Sequence, residues 1–468
     1  FFMSQPLITD KIQQMVSNAL KQAQQDGLLN LETEPDIVIE RPNNSENGDF
    51  ATNLPLQLAR ATRINPVKLA EILAERIHLS DELAKIEPAP PGFINFYLRD
   101  SWIQKQVDTI RHAGSTFGDV NVGNSQSIMI EFVSVNPTGP VHVGHARGAV
   151  LGSTLANILS AAGYSVTKEY YINDAGNQMD AFYNSVHTRY LQLLGEPREM
   201  PENSYEGEYI KEIAAEIIQS DGEAFASSSP TEDSILKIRE IGLVAKDMML
   251  QEISKDLTDI GVNFDNWFSE SSLFQSQEYE EAIHLLRSQN YLSEREGALW
   301  FNSNIEGGED EPEDRDSVVI RSSGEPTYFA SDIAYHHNKF LKRNFGQVIN
   351  IWGADHQGHV ARMKSAVQAL GINSDSLTIL ISQLVTLKRG NELVRASKRT
   401  GDFVTLRELV EDVGLDACRF FFLTRAASTH MDFDLELAKK NPQIIPYIMC
   451  NTLTHESPIF LNWRANGD

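Results

Sequence analysis

Apolar and polar positions along the first part of the chain follow two different patterns. The segments "LITDKIQQMVSNALKQA" and "NPVKLAEILAERI" carry apolar residues at helical spacing, and the second has a proline near its start, where a helix tolerates one. The segments "DIVIERP" and "PPGFINFYL" are short apolar runs that favour strands. Residues 3–115 are therefore predicted to form a small α+β domain.

From about residue 127 the pattern changes to that of a parallel sheet. "SIMIEFVSV" is an unbroken apolar run, typical of a strand that is buried on both faces. A turn rich in glycine and proline, the helix "ARGAVLGSTLANILSAAG" and the strand "SVTKEYYI" follow it. This order is the unit of a doubly wound sheet, so residues 119–402 are predicted to form an α/β domain with a Rossmann-like parallel sheet.

A long, acidic and largely helical segment interrupts this sheet. Strand patterns return only at "SVVIRS" and at "QVINIWGADHQGHV". We therefore interpret residues 185–315 as a large insertion into one nucleotide-binding fold. Residues 403–440 include "VTLRELVEDVGLDACRFFFLTRA" and are predicted to form a helical stem.

Composition and charge narrow the class of protein. The chain has 468 residues, of which 41% are hydrophobic and 22% charged, and these values are typical of a soluble globular protein with about two to four domains. We find no apolar run of the roughly 18 residues that a membrane span needs, and no secretory signal, so a cytoplasmic location is expected. The net charge of −25 argues against nonspecific nucleic-acid binding over the whole surface, although it permits a local basic face.

The segment "HVGH", residues 142–145, stands where the first strand of the predicted sheet gives way to its helix. Residues three apart at a helix start share a face, so His142 and His145 can point at one ligand. Free backbone N–H groups and the helix dipole favour an anion there, and Gly144 leaves space for a flat base close to the backbone. The motif predicts a site for the phosphates and adenine of ATP. Two ordinary turn histidines are the alternative, because the motif is short.

The block from Glu131 to His145 resembles the first signature of the class I aminoacyl-tRNA synthetases. The string "EFVSVNPTGPVHVGHARGA", followed by "VTKEYYINDAGNQ", is similar to bacterial arginyl-tRNA synthetases in particular. Further segments in the family's order extend the resemblance to about Lys440; they include "GDFATNLPLQLAR", "PTYFASDIAYHHNKF" and "LVRASKRTGDFVTLRELVEDVGLDACRFFFL". The resemblance implies a ligase that activates L-arginine with ATP and transfers it to tRNA(Arg). It also implies that the N-terminal domain contacts the tRNA elbow, and we expect a monomer.

The resemblance further implies which residues contact the phosphates of ATP. His142 and His145 do so in the first signature, and "RASKR" corresponds to the second signature, a mobile loop that neutralises the departing pyrophosphate. The implied ligands in this loop are Ser397, Lys398, which matches the essential lysine, and Arg399. Ala396 departs from the family, which usually has methionine there. Taken alone, the loop would be interpreted as a solvated basic segment.

Recognition of arginine requires carboxylates and other acceptors for the five N–H donors of a guanidinium. By resemblance, the residues that supply them are Glu131, Asn136, Tyr328 and Asp332. As isolated residues they would be interpreted as a core tyrosine and as acids that cap helices.

The segment "GADHQGH" follows another predicted strand, at the end where open parallel sheets bind ligands. We interpret its Asp355 and His356 as contacts to adenosine. Metal ligation by these residues together with His359 is the alternative. Magnesium is expected to arrive with ATP and not in a protein cage, and no protein-bound zinc is expected, since the chain has two cysteines.

The resemblance stops abruptly after Lys440. Residues 441–468 do not match the family, whose continuation is a helical anticodon-binding domain. Back-translation of this tail is compatible with a shifted reading frame near Lys439 and Lys440, so we hypothesise a frame slip and a missing anticodon-binding domain. From this we expect an intact pocket for ATP and arginine, weak binding of tRNA and impaired aminoacylation.

Other classes of function stay open at this point. A small-molecule nucleotidyltransferase can share "HVGH", although its sheet is normally short and uninterrupted. A non-catalytic relative of the same family is disfavoured by the retention of His142, His145 and Lys398, whereas the missing continuation after Lys440 keeps an inactive fragment open. Another class I synthetase is disfavoured because the blocks around Glu131 and Asp332 suit a cationic substrate.

Overall fold

The computed structural model describes residues 8–31, 33–226, 232–303, 316–390, 392–393 and 404–440, of which 232–234, 393 and 440 by their backbone alone. The chain divides into two compact units, Phe1–Asn121 and Val122–Asp468. Within the described ranges, every helix is too short or too polar to cross a lipid bilayer.

The first unit has the predicted α+β character. Its helices are α1 (Ile8–Gln25), α2 (Leu54–Thr62), α3 (Pro66–Ala74) and α4 (Asp100–Ala113). Strands β1 (Phe50–Thr52), β2 (Leu83–Ala89) and β3 (Phe93–Leu98) form an antiparallel sheet in the order β1-β3-β2. Helix α3 begins where it does because Pro66 is its first residue and the Asn65 side chain accepts from the N–H groups of Val67 and Lys68.

One predicted strand of this unit is reduced to a single bridge. The segment "DIVIERP" contributes only the pairing of Glu40 with Ala51. The strand beside it, β1, has three residues, and the turn that follows Pro42 ends the pairing. The apolar pattern therefore correctly predicted an extended segment, but this segment forms one bridge and not a strand paired along its length.

The second unit is built on a five-stranded parallel sheet, which confirms the predicted fold class. Its strands are β4 (Ser127–Glu131), β5 (Ser165–Ile172), β6 (Asn266–Ser269), β10 (Gln347–Gly353) and β11 (Leu377–Ser382), in the order β11-β10-β4-β5-β6. The chain adds strands on one side of β4 and later on the other, so the order reverses between β4 and β10. Ligands of such sheets bind at this switch point, outside the carboxyl ends of the strands.

The other strands of this unit form two three-stranded sheets. One has β7 (Leu292–Arg295), β8 (Ala298–Phe301) and β9 (Ser317–Ile320), in that order. The other has β12 (Val385–Arg389), β13 (Glu392–Leu393) and β14 (Met431–Asp434), in the order β13-β12-β14. The segment 403–440 that was predicted to be helical thus also contains a strand, because "MDFD" buries alternate residues against β12.

The helices of the second unit begin with α5 (Val143–Ala161), α6 (Asn177–Leu193), α7 (Glu208–Asp221), α8 (Glu232–Asp259), α9 (Glu270–Gln275) and α10 (Glu278–Ser288). Then follow α11 (Tyr328–His337), a π-helical turn (Asn338–Lys342), α12 (Val360–Ala369), α13 (Leu406–Val413), α14 (Leu415–Leu423) and α15 (Leu435–Lys440). Helix α5 lies very close to the sheet: a Cβ on Gly152 would come within 2.2 Å of the Phe132 ring.

The segment 185–315 is not one continuous insertion. Helices α6, α7 and α8 leave the sheet after β5, but the chain then returns to it as β6, which pairs in parallel with β5 over Asn266–Ser269. A second excursion contains α9, α10 and the sheet β7-β8-β9. The sequence pattern missed β6 because it has only four residues, "NWFS", and two of them are polar.

Candidate functional site

His142 and His145 lie together at the start of α5. His142 is the N-cap residue, and its Nδ1 accepts a hydrogen bond of 3.1 Å from the backbone N–H of Gly144. This assigns the proton of the neutral ring to Nε2, which is then a donor. The two imidazole centroids are 3.8 Å apart, with an interplanar angle of 34°. A pair of stacked imidazoles at a helix N-terminus is suited to an anion.

Gly144 is required by the histidine itself. A Cβ at this position would lie 2.8 Å from Cε1 and 2.9 Å from Nδ1 of His142, inside contact distance. The space left by the missing side chain is thus occupied by the His142 ring. The sequence argument had reserved this space for a substrate base.

The chain that follows the second signature is anchored directly beside the first. His142 forms an antiparallel bridge with Thr405, and the Leu406 N–H donates to the carbonyl of Val141 at 2.8 Å. Residues 394–403 lie outside the described residues, and with them Ser397, Lys398 and Arg399. Thr405, which forms this bridge, is also the N-cap of α13, where it makes a capping box with Glu408.

Glu131 ends β4 and is buried. Its Oε2 accepts from the Nζ of Lys339 at 2.6 Å, and its Oε1 accepts from the hydroxyl of Ser134 at 3.1 Å. Ser134 reaches back because the two residues after Phe132 adopt left-handed conformations, with φ of 69° at Val133 and 43° at Ser134. A β-branched residue in that region is strained, and such strain is concentrated at functional sites.

Tyr328 and Asp332 lie one turn apart on α11. Tyr328 is 54% exposed, and its hydroxyl lies beside Gly176, 3.5 Å from where a Cβ would be. Burial raises the pKa of Asp332 to about 7, and the negative charges of Glu131 and Glu270 add to the shift, while Lys339 and Arg362 oppose it. Asp332 is thus a carboxyl group that a nearby cation would ionise.

Asn136 faces a different neighbour. Its Nδ2 donates to Oε1 of Gln178 at 2.7 Å, so the amide is oriented by the first turn of α6. This places it in the loop after β4, on the path between Glu131 and the histidine pair. Its oxygen is the atom left to accept from a substrate.

Glu270 was not predicted from the sequence, yet it belongs to one acidic cluster with Glu131, Asp174 and Asp332. It opens α9 directly after β6 and is 3% exposed, and its Oε2 has no hydrogen-bond partner among the described residues. Burial raises its pKa to about 7, with Asp174 contributing and Ser331 opposing. The sequence feature that could have indicated Glu270 is a carboxylate directly after a parallel strand. It was overlooked because β6 was not predicted.

Asp355 and His356 lie in a 3-10 turn, Ala354–His359, at the carboxyl end of β10. They are 77% and 53% exposed at the side chain, and His356 Nε2 lies 3.4 Å from Asp355 Oδ2. Within the described residues, no cluster of histidine, cysteine or acidic side chains has the arrangement of a metal site. The turn borders the switch point, where the adenosine contact was expected.

Comparisons with known proteins agree with this arrangement. A family model described as the arginyl tRNA synthetase N terminal domain matches residues 10–98, and one described as the catalytic domain of class I tRNA synthetases (R) matches residues 106–421. The arginine–tRNA ligase of Dehalococcoides mccartyi (strain CBDB1) is 50% identical over 433 residues, which are 92% of this chain and 76% of that protein.

One further relative supports the same family, and one solved structure supports the fold. The arginine–tRNA ligase of Caldanaerobacter subterraneus subsp. tengcongensis is 44% identical over 452 residues, or 96% of this chain and 77% of that protein. Among solved structures, the arginyl-tRNA synthetase of Thermus thermophilus has a TM-score of 0.62 at 20% identity and covers 95% of this chain and 80% of that one. The last comparison concerns the fold alone.

Proposed function

Because this chain belongs to the class I arginyl-tRNA synthetases, we propose that it joins L-arginine to tRNA(Arg) in two ATP-dependent steps. A carboxylate oxygen of arginine attacks the α-phosphorus of ATP, the bond to pyrophosphate breaks, and arginyl-adenylate forms. A ribose hydroxyl at the tRNA 3′ end then attacks the activated carbonyl, and AMP leaves. The protein's part is positioning and stabilisation of charge.

The acidic cluster at the carboxyl ends of β4 and β6 is the observation that carries the proposal. Asp174 is paired with Lys246 at 3.2 Å, and Glu131 with Lys339. Among the described residues Asp332 and Glu270 have no ion-pair partner, and both have a pKa of about 7. A guanidinium is the ligand that suits this arrangement, because it is a cation with donors in a plane.

We assign the parts of arginine accordingly. The guanidinium binds Asp332, with Glu270 as a second carboxylate and the Tyr328 hydroxyl as a further partner. Glu131 and Asn136 bind the end of the substrate that reacts. The support is that Glu131 ends β4 and Asn136 lies in the loop that leads from there to His142.

We assign ATP to the switch point on the other side of that loop. His142 and His145 donate to the phosphates at the start of α5, with Gly144 keeping the first ring in place. Ser397, Lys398 and Arg399 complete the phosphate site from the loop anchored at Thr405, and Asp355 and His356 contact the adenosine. Magnesium enters with the nucleotide, whose phosphates supply most of its oxygen ligands.

We assign tRNA contact to the N-terminal unit, corresponding to residues 3–115. A groove of about 430 Å³ in this unit has a mixed lining of five asparagines, Arg41, the acidic Glu40 and several apolar residues. Its polar lining includes Arg41, Asn43, Asn44, Asn53 and Asn95. Amide groups of this kind read nucleobase edges, and Arg41 can hold a phosphate. A monomer that acts in the cytoplasm remains part of the proposal.

The decisive experiment is ATP–pyrophosphate exchange with each of the twenty amino acids, with and without bacterial tRNA. Exchange with arginine alone would support the assignment, and a requirement for tRNA would add that the chain still binds it. A small-molecule nucleotidyltransferase would show exchange that does not depend on any amino acid. A chain that binds neither arginine nor ATP would contradict the proposal.

A further inference from the structure

A buried lysine lies beneath the proposed arginine pocket and has no part in the assignments above. Lys339 is in the π-helical turn after α11, and its side chain has no solvent exposure. Its Nζ donates to Glu131 Oε2 at 2.6 Å and to Asn350 Oδ1 at 3.0 Å, and it lies 3.9 Å from the centroid of the Tyr335 ring. The three N–H directions of the ammonium thus meet a carboxylate, an amide oxygen and an aromatic face.

Lys339 determines the orientation of the polar groups around it. Because Asn350 accepts the ammonium proton through Oδ1, its Nδ2 faces His336 Nε2, which accepts at 2.9 Å. The proton of the His336 ring is then on Nδ1, which donates to the main-chain carbonyl of Asp332 at 2.7 Å. One chain of hydrogen bonds therefore runs from the Glu131 carboxylate to the backbone of Asp332.

These hydrogen bonds connect the Glu131 carboxylate to the backbone of Asp332, and the proposed function assigns both residues to arginine. Glu131 is held through Oε2 and through the Ser134 bond to Oε1, so its plane is fixed. Asp332 is not in contact with Lys339 but feels its positive charge, which partly offsets the charges of Glu131 and Glu270. A buried ion pair is weak evidence for stability, since apolar side chains of similar volume often serve as well.

We propose that Lys339 is a positioning residue for arginine binding: a built-in counter-ion that fixes the orientation of Glu131 and supplies a positive charge near Asp332. This inference rests on the proposed function of the site. The charged or titratable groups that face Asp332 from neighbouring elements are Glu131 (β4), Tyr171 (β5), Glu270 (α9), Lys339 (the π-helical turn) and Arg362 (α12). Those that face Lys339 are Glu131, Glu169 on β5, Tyr335 and His336 on α11, and Arg343 after the π-helical turn.

The test compares Lys339→Met with Lys342→Met in the full chain. Lys342 lies in the same π-helical turn but is exposed and paired with Glu281, away from the cluster. Arginine and ATP are titrated separately by calorimetry from about pH 6 to about pH 9. We expect Lys339→Met to weaken arginine binding by about tenfold or more near pH 7, to move the acid limb of the affinity profile to higher pH, and to leave ATP affinity within about twofold. Lys342→Met should behave as the wild type.

Wild-type arginine affinity and pH profile in a folded Lys339→Met protein would overturn the inference. So would an equal loss of arginine and ATP affinity at every pH, because that result would mean general damage to the fold. If Lys339→Met does not fold, Asn350→Ser provides the test: it removes one restraint on the ammonium without removing charge, and we expect a smaller shift in the same direction. An unchanged profile in Asn350→Ser would then overturn it.

A double variant separates orientation of Glu131 from general structure. In a Glu131→Gln background the anion that Lys339 holds is absent, so most of the loss caused by Lys339→Met should disappear. Full additivity of the two losses would contradict the positioning role. If the wild-type protein binds no arginine at any pH, the proposed function itself is overturned. The two failures are distinguishable, because the Lys339 comparison requires a wild type that binds arginine.

Discussion

At the scale of single residues, the site is organised by charges that the protein leaves without an internal partner. Asp332 and Glu270 are the two acidic groups of the cluster with no ion-pair partner among the described residues, while their neighbours Glu131 and Asp174 have lysines. The raised pKa values follow from this, because burial without a counter-ion disfavours the charged form. The substrate's guanidinium would supply the missing charge.

The pH dependence of arginine binding should follow Asp332. Its pKa of about 7 means that the carboxylate forms only as the pH rises through that value, so arginine affinity should increase from about pH 6 to about pH 8. Asp332→Asn should reduce this dependence to the part that Glu270 contributes, and weaken arginine binding by about a hundredfold or more. Calorimetric titration measures both effects, and Glu281→Gln, at an exposed ion pair, is the control that should retain the wild-type profile.

Asp332 should also lower the free energy of unfolding at high pH. A carboxyl group whose pKa is raised on folding loses its proton first in the unfolded state, so its contribution to the free energy of unfolding falls between about pH 4 and about pH 7. Asp332→Asn should therefore be more stable than the wild type near pH 8, by about 1–3 kcal/mol. Urea unfolding at two pH values would show it; an equal difference at pH 4 and pH 8 would contradict the explanation.

Two glycines of α5 provide a matched test of the first histidine. Gly144→Ala should displace the His142 ring and lower arginine-dependent ATP–pyrophosphate exchange, measured with tRNA present, by about tenfold to a hundredfold. Gly148 lies four residues later in the same helix, and nothing is within 4 Å of where its Cβ would be. Gly148→Ala should retain exchange and gain about 0.5–1 kcal/mol of stability. Equal rates of exchange in the two variants would contradict the role proposed for Gly144.

At the scale of secondary-structure elements, Arg147 connects α5, which begins at the first signature, to two loops that are distant in sequence. It is completely buried, one turn after His142, and donates to four main-chain carbonyls: Gln383, Arg425, Ala426 and Thr429. Gln383 lies between β11 and β12, and the other three lie between α14 and β14. One guanidinium therefore fixes the segments on both sides of the second signature relative to the first.

Loss of this connection should destabilise the second unit. Arg147→Met leaves four partly buried main-chain carbonyl groups without this donor and removes a fully buried side chain, and we expect the free energy of unfolding to fall by about 2–4 kcal/mol. Arg111→Met on α4, where the side chain is exposed and paired only with Asp108, should change it by less than about 0.5 kcal/mol. Urea denaturation followed by tryptophan fluorescence compares them, and a small effect for Arg147→Met would contradict the structural role.

At the scale of the whole molecule, the net charge bears on how an acidic protein would bind tRNA. The net charge of −25 makes general attraction to phosphates unfavourable. Recognition is then expected from local groups, and the groove of the first unit provides amides together with Arg41. The proposed division of labour is that the first unit binds tRNA and the second performs the chemistry.

This division predicts a selective effect of Arg41. Arg41→Ala should weaken binding of tRNA(Arg) by about threefold to tenfold, since one phosphate or base contact is lost. Arginine affinity should be unchanged. Arg60→Ala, at an exposed position of α2 outside the groove, is the matched control. Filter binding or fluorescence anisotropy at fixed salt measures tRNA affinity; identical values for the two variants would remove the groove from the tRNA site.

The sequence by itself determined what depends on local pattern. A continuous apolar run identified β4, because strands of a parallel sheet are buried on both faces, and strand patterns in the right order identified β5 and β10. The short motif around His142 and His145 predicts a phosphate site, because its chemistry depends on neighbouring residues along one helix turn. The resemblance of ordered segments to one family then implied the substrate, and the comparisons confirmed that family.

Only the tertiary structure decided which distant residues meet. Lys339 lies far from Glu131 in sequence and reaches it because the π-helical turn brings its ammonium to the end of β4. Glu270 comes close to Asp174 and Asp332 because β6 joins the sheet beside β5. Short strands such as β6 and β14 carry too few apolar residues to be recognised without their partners. The function of Gly144 was likewise decided by a side-chain orientation, since only the structure shows that the His142 ring lies over it.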